Sequence, residues 1–207
     1  MTALDQAPVN ATLAAAMLRA ADLVASPWKN GGGVTREIAA HPPGAALDAF
    51  AWRVSVADVA AAGPFSRFEG VDRTLVLLSG AGMTLAGDGG ARHVLDAPLA
   101  RADFAGETAI GATLHDGPTR DFNLMTRRAT TRGSVAVWRA GTHRIARAGT
   151  VLLFCATGTV QVELEGTAYT LEELDTLRLD GLQRALDVAM SGDGALLAVS
   201  LDATDTN

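Results

Sequence analysis

Short runs of alternating apolar and polar residues, broken by Gly, Pro and Asp, dominate the chain from Met17 onward. A period of two indicates β-strands with one buried face, and frequent turn residues between such runs are typical of β-sandwiches and barrels. Helical periodicity is weak, and only Asp58–Ala62 is compatible with one short helical turn. The pattern therefore predicts an all-β protein with the strands Val34–Ala39, Phe50–Val56, Thr74–Ser79, Met83–Ala86, Thr108–His115, Asp121–Arg127, Ser134–Trp138, Val151–Cys155, Thr159–Leu164, Asp175–Leu179, Ala185–Ala189 and Leu196–Leu201.

The chain contains an internal repeat, since Val76–Leu95 aligns without gaps on Leu152–Leu171. In each copy an apolar strand enters a turn, a second strand follows, and a glycine turn leads to a third. A repeated β-module predicts a duplicated cupin-type β-barrel or jelly roll, that is, a bicupin. We expect residues 1–16 to be a mobile N-terminal extension, 17–130 the N-terminal cupin half with the pocket, and 131–207 the C-terminal half.

Composition and charge narrow the class of protein. Of 207 residues, 48% are hydrophobic and the net charge is −6, so a core is expected and a broad nucleic-acid footprint is not. The single cysteine, Cys155, lies in an apolar run and cannot form an internal disulfide. No signal peptide or membrane-spanning stretch is recognisable. We therefore expect a cytoplasmic protein that binds neither nucleic acid nor membrane.

The segment Pro27–Ile38, PWKNGGGVTREI, is the first candidate site. A phosphate-binding P-loop has its lysine after the glycines, and a dinucleotide fingerprint needs a following helix, so neither fits. Asn30-Gly31 is a turn dipeptide, and a plain turn explains the glycines well. The alternative is one lip of a small-anion pocket, for which Lys29, the only lysine of the chain, is a candidate. In the following strand, Thr35 and Glu37 share one face and Arg36 lies on the other.

Two further strands carry polar side chains in a regular alternation. Trp52 alternates with Arg53 and Ser55 in the run AWRVSV. In RDFNLMTRR, a period of two puts Phe122, Leu124 and Thr126 on a face that we interpret as core between two sheets. The opposite face carries Asp121, Asn123, Met125 and Arg127. Spacing alone leaves two alternatives for that face, a solvated outer surface or the inner wall of a barrel that holds a polar ligand.

The sequence gives little support for metal or nucleophilic chemistry. The four histidines, His41, His93, His115 and His143, form no metal-binding pair, and the GPFSRFEG segment has Ser66 and Phe68 where metal-binding cupins place ligands. We therefore predict neither metal nor cofactor. No Ser-His-Asp or Cys-His arrangement is recognisable. Asp121 and Glu37 are a candidate acid–base pair.

Four motifs in order, PWKNGGGVTREI, WRVSVADV, GPFSRFEGVDRTLVLLSGAGMTL and GPTRDFNLMTRR, resemble those of the HutD/Ves family. The resemblance covers the chain from about Met17 and implies a small bicupin. It also implies an accessory or regulatory role in histidine utilisation, with a pathway acid such as urocanate or N-formylglutamate as ligand. The family carries no firm enzymatic activity.

Together these observations predict a non-catalytic protein that binds a small anionic metabolite. Arginine, lysine and asparagine would hold the carboxylate by charge-assisted hydrogen bonds, glycine amides would add donors, and a tryptophan would stack on a planar acid. The predicted ligand-binding residues are Trp28, Lys29, Asn30, Gly31, Gly32, Gly33, Thr35, Arg36, Glu37, Trp52, Arg53, Ser55, Asp121, Asn123, Met125 and Arg127.

Two alternatives remain open from the sequence. The first is a metal-independent cupin enzyme, an isomerase or hydrolase acting on a small acid with Glu37 or Asp121 as general base. The second is a protein-interaction module with the barrel as scaffold. A homodimer is compatible with each of these, because cupins often pair sheet edges.

Overall fold

The computed structural model describes residues 13–204, and these form four sheets connected by turns and two short 3₁₀ segments. Every strand pairing among them is antiparallel. Within residues 13–204 the strands are β1 (Ala14–Leu18), β2 (Ala25–Pro27), β3 (Gly33–His41), β4 (Trp52–Val59), β5 (Gly63–Pro64), β6 (Val71–Ser79), β7 (Met83–Gly87), β8 (Arg92–Leu95), β9 (Arg101–Ala105), β10 (Ile110–Leu114), β11 (Thr119–Arg127), β12 (Thr131–Trp138), β13 (Gly141–Ile145), β14 (Ala148–Thr157), β15 (Val160–Leu164), β16 (Thr167–Leu171), β17 (Thr176–Leu182), β18 (Leu186–Gly192) and β19 (Ala195–Ala203).

The sheet order confirms the duplication that the sequence repeat predicts. The N-terminal half pairs β4-β11-β6-β9 in one sheet and β5-β10-β7-β8 in the other. The C-terminal half pairs β12-β19-β14-β17 and β13-β18-β15-β16, which is the same order eight strands later. The fold is therefore a duplicated cupin-type jelly roll, extended by β2 and β3 beside β4 and by β1 beside β17.

The four sheets are held by three main apolar clusters, one inside each barrel and one between the barrels. The barrel cores are built by residues such as Leu77 and Leu85 in the N-terminal half and Leu153 and Val162 in the C-terminal half. The cluster between the barrels joins the outer faces of the two large sheets, where the Phe122 and Phe154 rings lie 5.0 Å apart. The interpretation of Phe122 and Leu124 as core between sheets is thus confirmed.

Several local expectations differ from the structure. Asp58–Ala62 is not helical, since Asp58 and Val59 complete β4 and the chain then turns. Of the expected N-terminal extension, residues 1–12 lie outside the described part of the chain. Ala14–Ala16 are not a free tail, because they pair with Asp180, Leu179 and Arg178 of the C-terminal half. Within residues 13–204, no helix is long and apolar enough to cross a membrane.

Candidate functional site

The register of the large N-terminal sheet sorts its inward-facing side chains into layers. Residues directly opposite on neighbouring strands lie on the same face. The first layer joins Arg53, Met125 and Arg73 across β4, β11 and β6. The second layer places Ser55 opposite Asn123. In the third layer Asp121 lies opposite Ala57 and Leu77, two members of the N-terminal barrel core, so this face of β11 is the inner wall of the barrel.

Arg53 stands at the edge of this wall in an ion pair. Its Nε donates to Glu37 Oε2 over 2.7 Å, and its Nη1 lies 3.5 Å from the Ser55 hydroxyl. The Arg53 side chain is 13% exposed and that of Glu37 36% exposed. The guanidinium is therefore fixed in position by β3 and β4 while one side of the pair still meets solvent.

Arg73 is a buried cation whose partners are weak. The residue is 8% exposed, and its guanidinium lies 5.1 Å from the centres of both the Phe65 and Phe104 rings. Its hydrogen bonds, to Asn123 Oδ1 and to the Ser66 carbonyl, are long, at 3.3–3.4 Å. Among residues 13–204, no carboxylate forms an ion pair with it. The pKa of Arg73 is lowered to about 10, mainly by burial; the Asp121 charge opposes this change and the Arg53 charge adds to it.

Asp121 is the most deeply buried carboxyl of the inner wall. It is 2% exposed, and its Oδ2 has no hydrogen-bond partner within residues 13–204. The pKa of Asp121 is raised to about 7, mainly by burial; the Arg73 guanidinium opposes this change and the Asp58 charge adds to it. This part of the site therefore combines a desolvated cation and a desolvated acid that do not satisfy each other.

One cleft reaches the Arg53 end of this wall. It has a volume of about 510 Å³ and is lined by Glu37, Ile38 and Arg53 on one side and by Met17, Leu18, Arg19, Asp22, Leu23, Val24 and Ser26 on the other. A second cleft, of about 690 Å³, also touches Arg73 but lies beside β9 and the start of β12, along outward-facing residues such as Thr74, Leu124 and Thr126. The wall of the first cleft formed by residues 17–24, here called the N-terminal strap, begins in β1 and is thus attached to the C-terminal barrel.

One carboxylate of the C-terminal half fixes the strap. Asp175 is 4% exposed and accepts hydrogen bonds from Arg19 Nη1 at 2.7 Å, from the Ala20 amide at 2.9 Å and from the Glu172 amide at 3.1 Å. These donors stabilise the ionised form, so the Asp175 pKa is lowered even though its burial opposes the change.

The glycine segment lies at the other end of the barrel wall. Gly33 is opposite Val59, six residues along β4 from Arg53, which is about 20 Å in an extended strand. The Gly31 and Gly32 amides already donate to the Trp28 carbonyl and to Asn30 Oδ1. The structure therefore separates Trp28, Lys29, Asn30 and Gly31–Gly33 from the arginines, and an amide anion site at Gly31 and Gly32 is not formed. The glycines make a tight β2–β3 turn.

Trp28 has a structural explanation at this turn. Its Nε1 donates to Thr35 Oγ1 over 2.7 Å, and its ring lies so close to Gly33 that an added Cβ would meet ring carbons at 3.1 Å. The same Cβ would lie 2.6 Å from the Asp58 carbonyl oxygen. Trp28 and Thr35 therefore brace the hairpin. Thr35 lies on the inner face opposite Ala57, and Trp28 packs against the N-terminal barrel core, two layers or more from Arg53 along the wall.

Three other predicted residues are engaged by partners outside the group formed by Arg53, Arg73 and Asn123. Arg36 lies on the outer face, where it forms an ion pair with Asp58 that Arg120 shares. Trp52 is 5% exposed and packs between the barrels, with Arg178 over its ring at 5.7 Å. Arg127 donates to the Asp48 and Phe50 carbonyls at 2.9 and 3.2 Å. The Trp52 ring faces the other barrel and does not lie on the wall that carries Arg53 and Asn123.

The structure thus brings together Glu37, Arg53, Ser55, Asp121, Asn123 and Met125 from the predicted set and adds Arg73. Arg73 was not singled out in the sequence, although one signal was available. In VDRTLVLL it is in phase with Leu75 and Leu77, so a period of two places a guanidinium on a core face. Within residues 13–204, no group of three His, Cys, Asp or Glu side chains is placed to hold a metal ion.

Comparisons with known proteins match this architecture to one group. A family model described as HutD matches residues 20–198. An uncharacterised 21.2 kDa protein in the hutC 3′ region of Pseudomonas putida is 39% identical over 183 residues, which cover 87% of this chain and 95% of that protein. Protein Ves of Cronobacter sakazakii is 41% identical over 157 residues, covering 73% of this chain and 84% of that protein.

A solved structure agrees with the computed one. The structure of HutD from Pseudomonas fluorescens SBW25, described as its formate condition, superposes with a TM-score of 0.81. The two chains are 35% identical, and the match covers 92% of this chain and 100% of that one.

Proposed function

This chain belongs to the HutD family, and from that premise we propose that it is a non-catalytic accessory protein of histidine utilisation that binds a small carboxylate. The binding site is the arginine end of the N-terminal barrel, between the Arg53 and Arg73 guanidinium groups and beside Asn123. The ligand is a pathway acid such as urocanate or N-formylglutamate, and its binding limits or reports pathway activity.

The observation that carries the proposal is the buried Arg73 guanidinium, with which no carboxylate of residues 13–204 forms a direct ion pair. A desolvated guanidinium is costly unless it is paired and hydrogen-bonded. Within residues 13–204 it has only long hydrogen bonds and aromatic neighbours, and a second guanidinium lies close enough to lower its pKa. An anion between the two arginines would relieve their repulsion and supply strong acceptors. A buried charge that lowers the stability of the fold in this way is typical of residues that serve a binding or catalytic function.

The surroundings favour a small organic acid over a larger anion. Phe65 and Phe104 provide apolar surface around the guanidinium, and Asn123 and Ser55 provide groups that can orient a ligand. The wall is enclosed, since Ser55 and Asn123 are 2% and 7% exposed.

The test is isothermal titration with urocanate, N-formylglutamate, histidine and glutamate. Wild type is compared with Arg53→Ala, Asn123→Ala and Arg73→Met. We expect one acid to bind, with at least a tenfold loss of affinity in each variant. Arg36→Ala is the matched control, because this arginine of the same sheet faces outward and should leave binding unchanged. Flat titrations with all four acids, or undiminished binding by Arg73→Met, would refute the proposal and favour the interaction-module alternative.

A second candidate function follows from Asp121, whose buried carboxyl has a pKa suited to a general base near neutral pH. In that case the protein is a metal-independent isomerase or hydrolase acting on the same acid. Incubation of the acid with wild type would then give product that NMR detects. Asp121→Asn would abolish turnover while retaining binding. Glu37 suits the role less well, because it is engaged by Arg53.

A further inference from the structure

Asp121 and Arg73 form an incomplete pair on the inner wall. Each is the largest charge-based influence on the other's protonation, but they do not make an ion pair within 4.0 Å. Instead, Asn123, two residues along β11 from Asp121, accepts the Arg73 hydrogen bonds. The Arg73 guanidinium therefore attracts Asp121 without direct contact and would also attract an anion that binds beside it.

We infer that Asp121 is the proton switch of this site, so that binding of a carboxylate at Arg73 is accompanied by protonation of Asp121. This inference rests on the proposed function and specifies its regulation. An ionised Asp121 and a bound anion would be two negative charges on one buried wall with Arg73 between them. Protonation removes one of them, with the proton taken from solvent.

The geometry supports protonation at Asp121 rather than elsewhere. Its Oδ2 has no donor within residues 13–204, so the ionised form lacks the hydrogen bonds that stabilise most buried carboxylates. Thr119 Oγ1, on the same face of the same strand, is also buried and without a partner. The protonated Asp121 carboxyl is a hydrogen-bond donor, and the same wall contains a hydroxyl without a partner, that of Thr119.

The other charged groups around Asp121 have defined partners. On β3 and β4, Glu37 is paired with Arg53, and Asp58 with Arg36 and Arg120. On β6, Arg73 is the facing cation. From the opposite sheet the barrel core receives apolar side chains, namely Met83, Leu85, Ile110 and Ala112. Glu37 is therefore the alternative carboxylate that a test has to separate from Asp121.

Linkage fixes the sign of the pH dependence. Asp121 in the empty site has a pKa of about 7, and a bound anion raises it further. Below about pH 6 the carboxyl is protonated in both states and affinity is constant. As the pH rises through the pKa of the empty site, the proton must be taken up on binding, and affinity falls. The size of the fall between pH 6 and pH 8.5 depends on how far the anion raises the pKa; its upper limit is about 30-fold, and we expect it to be roughly tenfold.

The experiment is an NMR titration with formate, which stays ionised over this whole range, repeated with N-formylglutamate. Wild type should bind roughly tenfold more weakly at pH 8.5 than at pH 6. Asp121→Asn, which is neutral at every pH, should show constant affinity close to the wild-type value at pH 6. Glu37→Gln should retain the wild-type slope, whatever its absolute affinity.

The outcomes separate this inference from the function on which it rests. Binding with a constant affinity in wild type, or an unchanged slope in Asp121→Asn, overturns the proton switch and leaves the carboxylate site in place. Absence of binding at pH 6 overturns both. If Asp121→Asn does not fold, direct ¹³C NMR titration of the wild-type Asp121 carboxyl replaces it. Its midpoint should rise when formate is added, and an unmoved midpoint overturns the inference.

Discussion

At the scale of single residues, two arginines on the inner-face register of one sheet are used differently. Arg73 is buried among aromatic rings with long hydrogen bonds. Arg127 is half-buried, donates to two backbone carbonyls and lies 5.7 Å from the centre of the Phe50 ring. Arg127 therefore stabilises the loop before β4. An apolar side chain in place of Arg73, by contrast, would keep most of the packing that Arg73 contributes to the fold.

This difference gives a prediction about stability. Arg73→Met replaces a desolvated charge by an apolar side chain of similar length, so we expect an unchanged or raised melting temperature together with lost carboxylate binding. Arg127→Met is the matched control and should cost about 1–3 kcal/mol, because the hydrogen bonds to the Phe50 and Asp48 carbonyls are lost. Thermal unfolding measured at pH 7 checks both. A marked fall in the melting temperature of Arg73→Met would show that the guanidinium is structural.

The sequence predicts which residues of β11 share a face but not where that face points. Alternation in RDFNLMTRR puts Asp121, Asn123 and Met125 together and leaves open an outer surface or an inner wall, and the register of the sheet shows that they line the inner wall. Arg36 is predicted to bind a carboxylate because of its charge, and Trp52 to stack on a planar acid because of its ring. Whether Trp52 and Arg36 point into the barrel depends on which side of the sheet contacts the second barrel. No pattern in the neighbouring sequence indicates that tertiary contact.

At the scale of elements, the strands with regular apolar alternation were the predictable ones. The missed strands carry few large apolar residues, as in β1, AAAML, and β9, RADFA. The position of β1 also depends on a distant partner, since it pairs with β17. The strap that follows it consequently joins a wall of the N-terminal cleft to the C-terminal barrel.

We expect Asp175 to influence binding although it touches no ligand. Asp175→Ala leaves the Ala20 and Glu172 amides without their acceptor and releases Arg19, so the strap loses its anchor. Affinity for the carboxylate should fall severalfold when it is measured well below the melting temperature, where all molecules are folded. Asp187→Ala, which removes an exposed ion pair with Arg144, is the control and should bind like wild type. Equal affinity in both variants would mean that the strap does not shape the site.

At the scale of the whole molecule, the interiors of the two barrels differ in polarity. The C-terminal barrel interior, as far as the structure describes it, is an apolar cluster that includes Cys155, whose pKa burial raises to about 12. The polar inner wall belongs to the N-terminal barrel. The sequence repeat predicted two related modules, but the asymmetry between them became apparent only when the inward faces were known.

The contact between the barrels predicts that the chain unfolds as one unit. Phe154 of β14 is fully buried against Phe122 of β11, and both belong to the cluster that joins the two large sheets. Phe154→Ala should therefore cost about 3–5 kcal/mol and lower the stability of both halves equally. Urea unfolding of variants that retain only Trp28 or only Trp138 provides a probe in each half, and the two transitions should coincide before and after the substitution. If the fluorescence of Trp138 alone changed at a lower urea concentration, the C-terminal barrel would unfold independently. The N-terminal site would then remain folded although Asp175, which anchors the strap, belongs to the unfolded barrel.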